Sequence, residues 1–132
     1  MDTPDGGFLQ IGQAAERTEL SLKTIRHYDE VGLVQPSARS AGGFRLYTDT
    51  DVDRLLVIRR MKPLGFTLAE MKQLLDSLDT LADPDAPAGR RNEARGFVDD
   101  MHAHARDRCA TLARQLAYAE EFTDLLAVHA QR

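Results

Sequence analysis

The sequence predicts a mainly α-helical protein: a winged helix-turn-helix head of four short helices and a small β-hairpin wing, followed by a long C-terminal dimerisation helix that forms an antiparallel coiled coil with a second copy. Three observations predict it. Two short amphipathic segments, about 11–17 and 22–30, flank the tight turn Thr18-Glu19-Leu20, which is the helix-turn-helix spacing. The next stretch, 31–47, loses the helical period between Gly and Pro residues. From Arg90 to about Val128 there is no proline, and apolar residues recur every seven positions, the pattern of a helix that buries one stripe against a partner.

Each element has a local reason. Ile11, Ala14 and Ala15 share a helical face. Ser21 is a strong N-cap for the second helix, where Leu22, Ile25 and Tyr28/Asp29 repeat at helical spacing. Gly32, Pro36, Gly42 and Gly43 punctuate the following stretch. Leu33-Val34 and Phe44-Arg45-Leu46-Tyr47 then read as the two strands of a hairpin. Thr48 with Asp51 starts a third helix, about 49–63, with Val52, Leu55, Leu56, Ile58 and Met61 inward, and Pro63-Leu64-Gly65 ends it. Thr67-Leu68-Ala69-Glu70 is a capping box for a fourth helix, 68–77, with Leu68, Met71, Leu74 and Leu75 inward.

The domain organisation expected is a flexible tail over 1–8, the head over 9–78, a Pro/Asp/Ala linker over 79–89 and the dimerisation helix over 90–132. Along the last, Val98, Ala105, Leu112, Ala119 and Leu126 fall every seven residues, flanked by Met101, Leu116 and Phe122. A lone helix with such a stripe has nothing of its own chain to bury it against.

Composition narrows the function classes. The formal charge is −4, but it is unevenly spread. Residues 7–62 carry nine Lys/Arg against seven Asp/Glu, while residues 79–132 carry seven against ten. Screening confines a charge's reach to about 10 Å, so local charge decides where phosphates bind. No window approaches a membrane span, and the first residues lack the basic and apolar regions of a signal peptide. A cytoplasmic location is therefore expected. There is no Gly-rich phosphate loop, no paired acid beside a histidine and no Cys/His nucleophile arrangement, so an enzyme is not expected.

Five ordered blocks then carry a resemblance. Ile11-Gly12-Gln13-Ala14-Ala15, Ser21 through Leu33, Gly43-Phe44-Arg45-Leu46-Tyr47, Asp51-Val52-Asp53-Arg54-Leu55 and Leu64-Gly65-Phe66-Thr67-Leu68 resemble, in order and spacing, the MerR family of bacterial transcription regulators. The resemblance implies a homodimer that grips promoter DNA, bends and untwists it, and acts with RNA polymerase. The second helix would lie in the major groove. Ser21, Lys23, Thr24 and Arg26 would stand near base edges and phosphates, with His27 and Tyr28 on phosphate. Strand alternation splits the wing into two pairs, Phe44 with Leu46 and Arg45 with Tyr47, one facing the core. The resemblance puts Arg45 and Tyr47 on the DNA backbone, and Arg59 and Arg60 are given a supporting phosphate role. An architectural or recombination-accessory DNA binder is the alternative, and the long C-terminal helix argues against it.

Two positions depart from the family pattern. Glu19 stands in the turn where Gly is common, and His27 stands where Tyr is common. His102, His104, Cys109 and His129 invite a metal reading, but His102 and Cys109 lie about 10 Å apart along one helix, too far to share a zinc ion. One cysteine also argues against the paired-thiolate sensing of that family's metal-sensing members, which resemble one another in a two-cysteine loop past the dimer helix. No metal or cofactor is expected, nor room for a separate ligand-binding domain, and the residues name no effector.

Overall fold

The computed structural model describes residues 7–130. The first six residues of the expected tail and the last two of the expected long helix lie outside the described residues. The chain divides into two compact units, 1–76 and 77–132, and the division falls inside a helix.

The first unit opens with β1 (Leu9–Gln10), then α1 (Ile11–Thr18) and α2 (Leu22–Glu30). Strands β2 (Ala38–Arg39) and β3 (Arg45–Tyr47) follow, then α3 (Asp49–Met61), a 3-10 turn over Lys62–Leu64, and α4 (Leu68–Ala82), which crosses into the second unit. β3 is the middle strand of an antiparallel sheet in the order β1-β3-β2, with Leu9 opposite Tyr47 and Arg39 opposite Arg45. The core of this unit gathers Ala14, Ile25, Leu46, Tyr47, Val52, Leu55 and Ile58, all at most 5 % exposed.

The caps act as expected. The Ser21 hydroxyl accepts from the Thr24 N–H at 3.0 Å. Thr48 and Asp51 close a reciprocal box, with the Asp51 N–H donating to the Thr48 hydroxyl at 3.1 Å and the Thr48 N–H to the Asp51 carboxylate at 2.9 Å. That carboxylate also takes the Ser37 N–H and hydroxyl, at 3.2 and 2.6 Å, which ties the loop before β2 to the start of α3. Thr67 and Glu70 form the same kind of box.

Three elements differ from expectation. Leu33-Val34 is not a strand. Gly32, at φ +75°, ends the C-terminal turn of α2 with its N–H on the Asp29 carbonyl, and the Leu33 and Val34 N–H groups both bond to the Tyr28 carbonyl. A glycine in the left-handed region turns the chain sharply back, so the two apolar residues after it tuck under the helix end; both are buried. The wing instead pairs β3 with β2, and a further strand, β1, joins on its other side. On α4, Leu68 is exposed rather than inward, while Met71 and Leu75 are buried.

The second unit holds the end of α4 and α5 (Ala88–Ala130), 43 residues long, or about 65 Å at 1.5 Å per residue. α4 continues to Ala82 and α5 begins at Ala88, so only 83–87 remain of the expected linker. Arg91 holds this corner, donating to the carbonyls of Asp83 at 2.5 Å and Leu81 at 3.4 Å. Among the described residues of α5 only Ala94 is buried. Val98, Met101 and Ala105 are half-buried, and Leu112, Leu116, Ala119, Phe122 and Leu126 are exposed.

Candidate nucleic-acid interface

The turn between α1 and α2 is built around Thr18 and Glu19. Thr18 is wholly buried, and its hydroxyl donates to the Ala14 carbonyl at 2.8 Å and accepts from the Leu20 N–H at 3.3 Å. Glu19 is the one non-glycine residue at positive φ among those described, at φ 58°, ψ 24°. Such a conformation costs about 1–2 kcal/mol for a residue with a Cβ. Arg59, from α3, offsets part of it: its guanidinium donates to the Thr18 carbonyl at 2.7 Å and lies 3.8 Å from the Glu19 carboxylate. Arg59, expected on phosphate, thus holds the helix-turn-helix turn by donating to a carbonyl at the end of α1, where the helix leaves its last carbonyls without intrahelical partners.

α2 leaves Lys23, Arg26 and His27 exposed, and neither Lys23 nor Arg26 forms an ion pair among the described residues. The Thr24 hydroxyl accepts from Ser21 at 2.8 Å, so this pair of hydroxyls is engaged in capping. Tyr28 is 4 % exposed and its hydroxyl is buried with no hydrogen-bond partner among the described residues. It belongs to the core, and Lys62 covers its ring with the ammonium 5.6 Å from the centroid. Arg60, on the last turn of α3, is exposed.

The wing departs from simple alternation. Leu46 and Tyr47 are both buried, at 5 % and 0 % exposed, while Phe44 is 71 % exposed. Tyr47, expected to face DNA with Arg45, is in the core, because β3 is flanked by a strand on each side and Tyr47 pairs with the buried Leu9 of β1. Burial pushes the Tyr47 hydroxyl up to about 12, with nearby Asp29 adding to the rise. Its hydroxyl has no hydrogen-bond partner among the described residues.

Arg45 is half-buried and donates from Nε to the Asp29 carboxylate at 2.6 Å. That hydrogen bond holds its guanidinium more firmly protonated than usual. Arg39 reaches the same Asp29 oxygen at 3.3 Å and donates to the Gly43 carbonyl at 3.2 Å. The tip is closed by Gly43, at φ +83°, whose N–H bonds the Ser40 carbonyl. A Cβ at Gly42 would lie 3.1 Å from the Phe44 ring. Between α2, the start of α1 and the tip lies an open cleft of about 170 Å³, lined by Gln10, Ile11, Gly12, Arg26, Gly43, Phe44 and Arg45.

Sequence reasoning missed Asp29 and Arg39 as members of this face. Asp29 carried a signal, a carboxylate at a position where the helix period calls for an apolar residue. Arg39 carried none, standing alone in a loop of small residues. On α5, Cys109 is exposed, and among the described residues no three His, Cys, Asp or Glu side chains converge as a metal site. No helix of the described residues is long and apolar enough to cross a membrane.

Comparisons with known proteins agree with this geometry. Residues 9–78 match the family model of MerR HTH regulatory proteins, and 52–127 match the MerR DNA-binding model. The transcriptional regulator HmrR of Sinorhizobium medicae is 34 % identical over 118 residues, covering 89 % of this chain and 71 % of that protein. The transcriptional activator TipA of Streptomyces coelicolor is 45 % identical over 83 residues, 63 % of this chain; the chain spans only 32 % of TipA's length. Among solved structures, HiNmlR, a MerR family regulator lacking the sensor domain and bound to promoter DNA, is 25 % identical with a TM-score of 0.63, over 83 % of this chain and 79 % of that one.

Proposed function

This chain belongs to the MerR family of helix-turn-helix regulatory proteins, and from that premise we propose that it acts as a homodimer on double-stranded promoter DNA. α2 enters the major groove, where Lys23 and Arg26 meet base edges and phosphates. His27, Arg45 and Arg60 contact the backbone, an orienting role that carries no sequence information. Ser21 and Thr24 set the start of α2 against it. The head, the short linker over 83–87 and the long helix α5 form the working divisions of the chain. α5 pairs with its counterpart in a second copy through Val98, Met101, Ala105, Leu112, Leu116, Ala119, Phe122 and Leu126. Two heads held at a fixed distance bend and untwist the duplex, a deformation whose cost is offset by the phosphate contacts. RNA polymerase at the same promoter is the partner that reads the distortion, and the bacterial cytoplasm is where it occurs.

The observation that carries this reading is the exposed face of α2. Lys23 and Arg26 sit there without acidic partners among the described residues, beside a wing that brings Arg45 to the same side. Selection of binding sites from random duplexes by the purified full chain tests it. The expected result is a palindromic site whose half-sites are one or more helical turns apart. Recovery of short single half-sites, or of unrelated sequences, would overturn it.

A further inference from the structure

We infer that Asp29 is the positioning residue of the wing, a carboxylate on α2 that gathers Arg39 and Arg45 and aims both guanidinium groups at one stretch of DNA backbone. This rests on the DNA-binding reading and adds to it a positioning group, Asp29, and a further cation, Arg39.

The geometry is specific. Arg39 and Arg45 are directly paired across β2 and β3, and like charges opposite one another on neighbouring strands repel. One oxygen of Asp29 takes both, at 2.6 Å from Arg45 Nε and 3.3 Å from Arg39 Nη2. The carboxylate is nearly sealed, with its side chain 10 % exposed, against 24 % for Arg45 and 51 % for Arg39. The acid is therefore shielded while parts of both bases reach solvent. Binding Arg45 through Nε leaves its two terminal nitrogens for another acceptor, and a guanidinium fork suits a phosphate. Arg39 is steadied a second time by the Gly43 carbonyl, which links the latch to the wing tip. Two arginines and one carboxylate leave a net positive charge at the wing.

A salt bridge that only stabilised the head would lower its unfolding temperature and leave binding by the folded chain unchanged. A positioning role lowers the affinity of chains that remain folded, by an amount that depends on Arg39 and Arg45 being present. The test is a double-mutant cycle in the full chain, using a labelled duplex from the selection above, titrated at several salt concentrations and with thermal unfolding measured in parallel. Asp29→Asn is expected to weaken binding about tenfold, within the range for coupled neighbours, and to cost almost nothing further in a background that carries both Arg39→Ala and Arg45→Ala. Arg39→Ala is expected to reduce the slope of log affinity against log salt by about 0.9, one phosphate contact. If Asp29→Asn does not fold, Asp29→Glu replaces it: the charge stays but moves by one methylene, and the loss must again vanish with both Arg39→Ala and Arg45→Ala. Equal losses in both backgrounds, or an Arg39→Ala slope equal to wild type, would overturn the proposal while leaving the DNA-binding reading intact. A wild-type chain that retains no duplex at all would overturn that reading itself.

Discussion

The head and the long helix use the same residue types and the same helical period, yet only the head covers its own apolar face. In the head, Leu55, Ile58 and Tyr47 are wholly buried. In α5, Leu116 and Phe122 remain 60 % exposed. The difference lies in the punctuation. Gly32, Gly43 and Gly65, all at positive φ, fold the head's short segments back on one another. α5 has 43 residues without such a break, and from Leu112 to Leu126 its stripe stays exposed on this chain, the face proposed above to meet a second copy. A binary pattern decides which face is apolar, and turns decide whether the same chain can bury it.

The comparison breaks most sharply at α5. Leu116→Asp with Phe122→Asp is expected to yield a monomer by sedimentation and to lower affinity for a two-half-site duplex by about a hundredfold or more, the scale lost when two linked contacts become one. Head unfolding should not change. A doubly substituted chain that still sediments as a dimer would place the contact elsewhere. In the head, Leu55→Ala should destabilise by about 2–5 kcal/mol in denaturant titrations, whereas Leu112→Ala in the monomeric variant should change stability by less than about 0.5 kcal/mol.

Tyr47 sharpens the contrast through pH. Its folded value, about 12, lies above the ordinary 10, so the protonated hydroxyl is favoured in the folded head. The resulting stability is fully present below about pH 10 and is lost as pH rises through the folded value, by up to about 3 kcal/mol. Tyr47→Phe should remove that slope and, since the hydroxyl is buried without a hydrogen-bond partner among the described residues, should cost little or stabilise at neutral pH. A Tyr47→Phe head that loses stability at pH 7 would reveal a partner for that oxygen. A smaller effect than the high-pH loss at Tyr47 is expected at the turn. Glu19→Gly relieves a left-handed residue and should stabilise by about 1 kcal/mol; a destabilised variant would mean that the Arg59 contact outweighs the strain.

Helix starts were legible wherever a cap and a period coincided: Ser21, Thr48 and Thr67 each mark a first turn, because an N-cap acts within three residues of itself. The left-handed turn at Glu19 was legible only through the resemblance, which puts Gly in that turn. The wing was legible in kind and not in register. Leu33-Val34 has strand-like composition, but the glycine before it turns the pair inward. The two-residue strand Leu9–Gln10 is too short to carry a period. Burial of Tyr28 and Tyr47 was hidden as well, since tyrosine suits a core and an interface equally.

By itself the sequence determined what acts over a few residues: the helical segments, their caps, the heptad stripe of α5 and the cationic face of α2. Backbone hydrogen bonds and side-chain periods are local, so the chain states them directly. Only the tertiary structure decided which charges meet. Asp29 with Arg45, 16 residues on, and Arg59 with the Thr18 carbonyl, 41 residues back, are joined by packing of separate elements. No local rule encodes such pairings, because their distances are set by the sheet and the core between them.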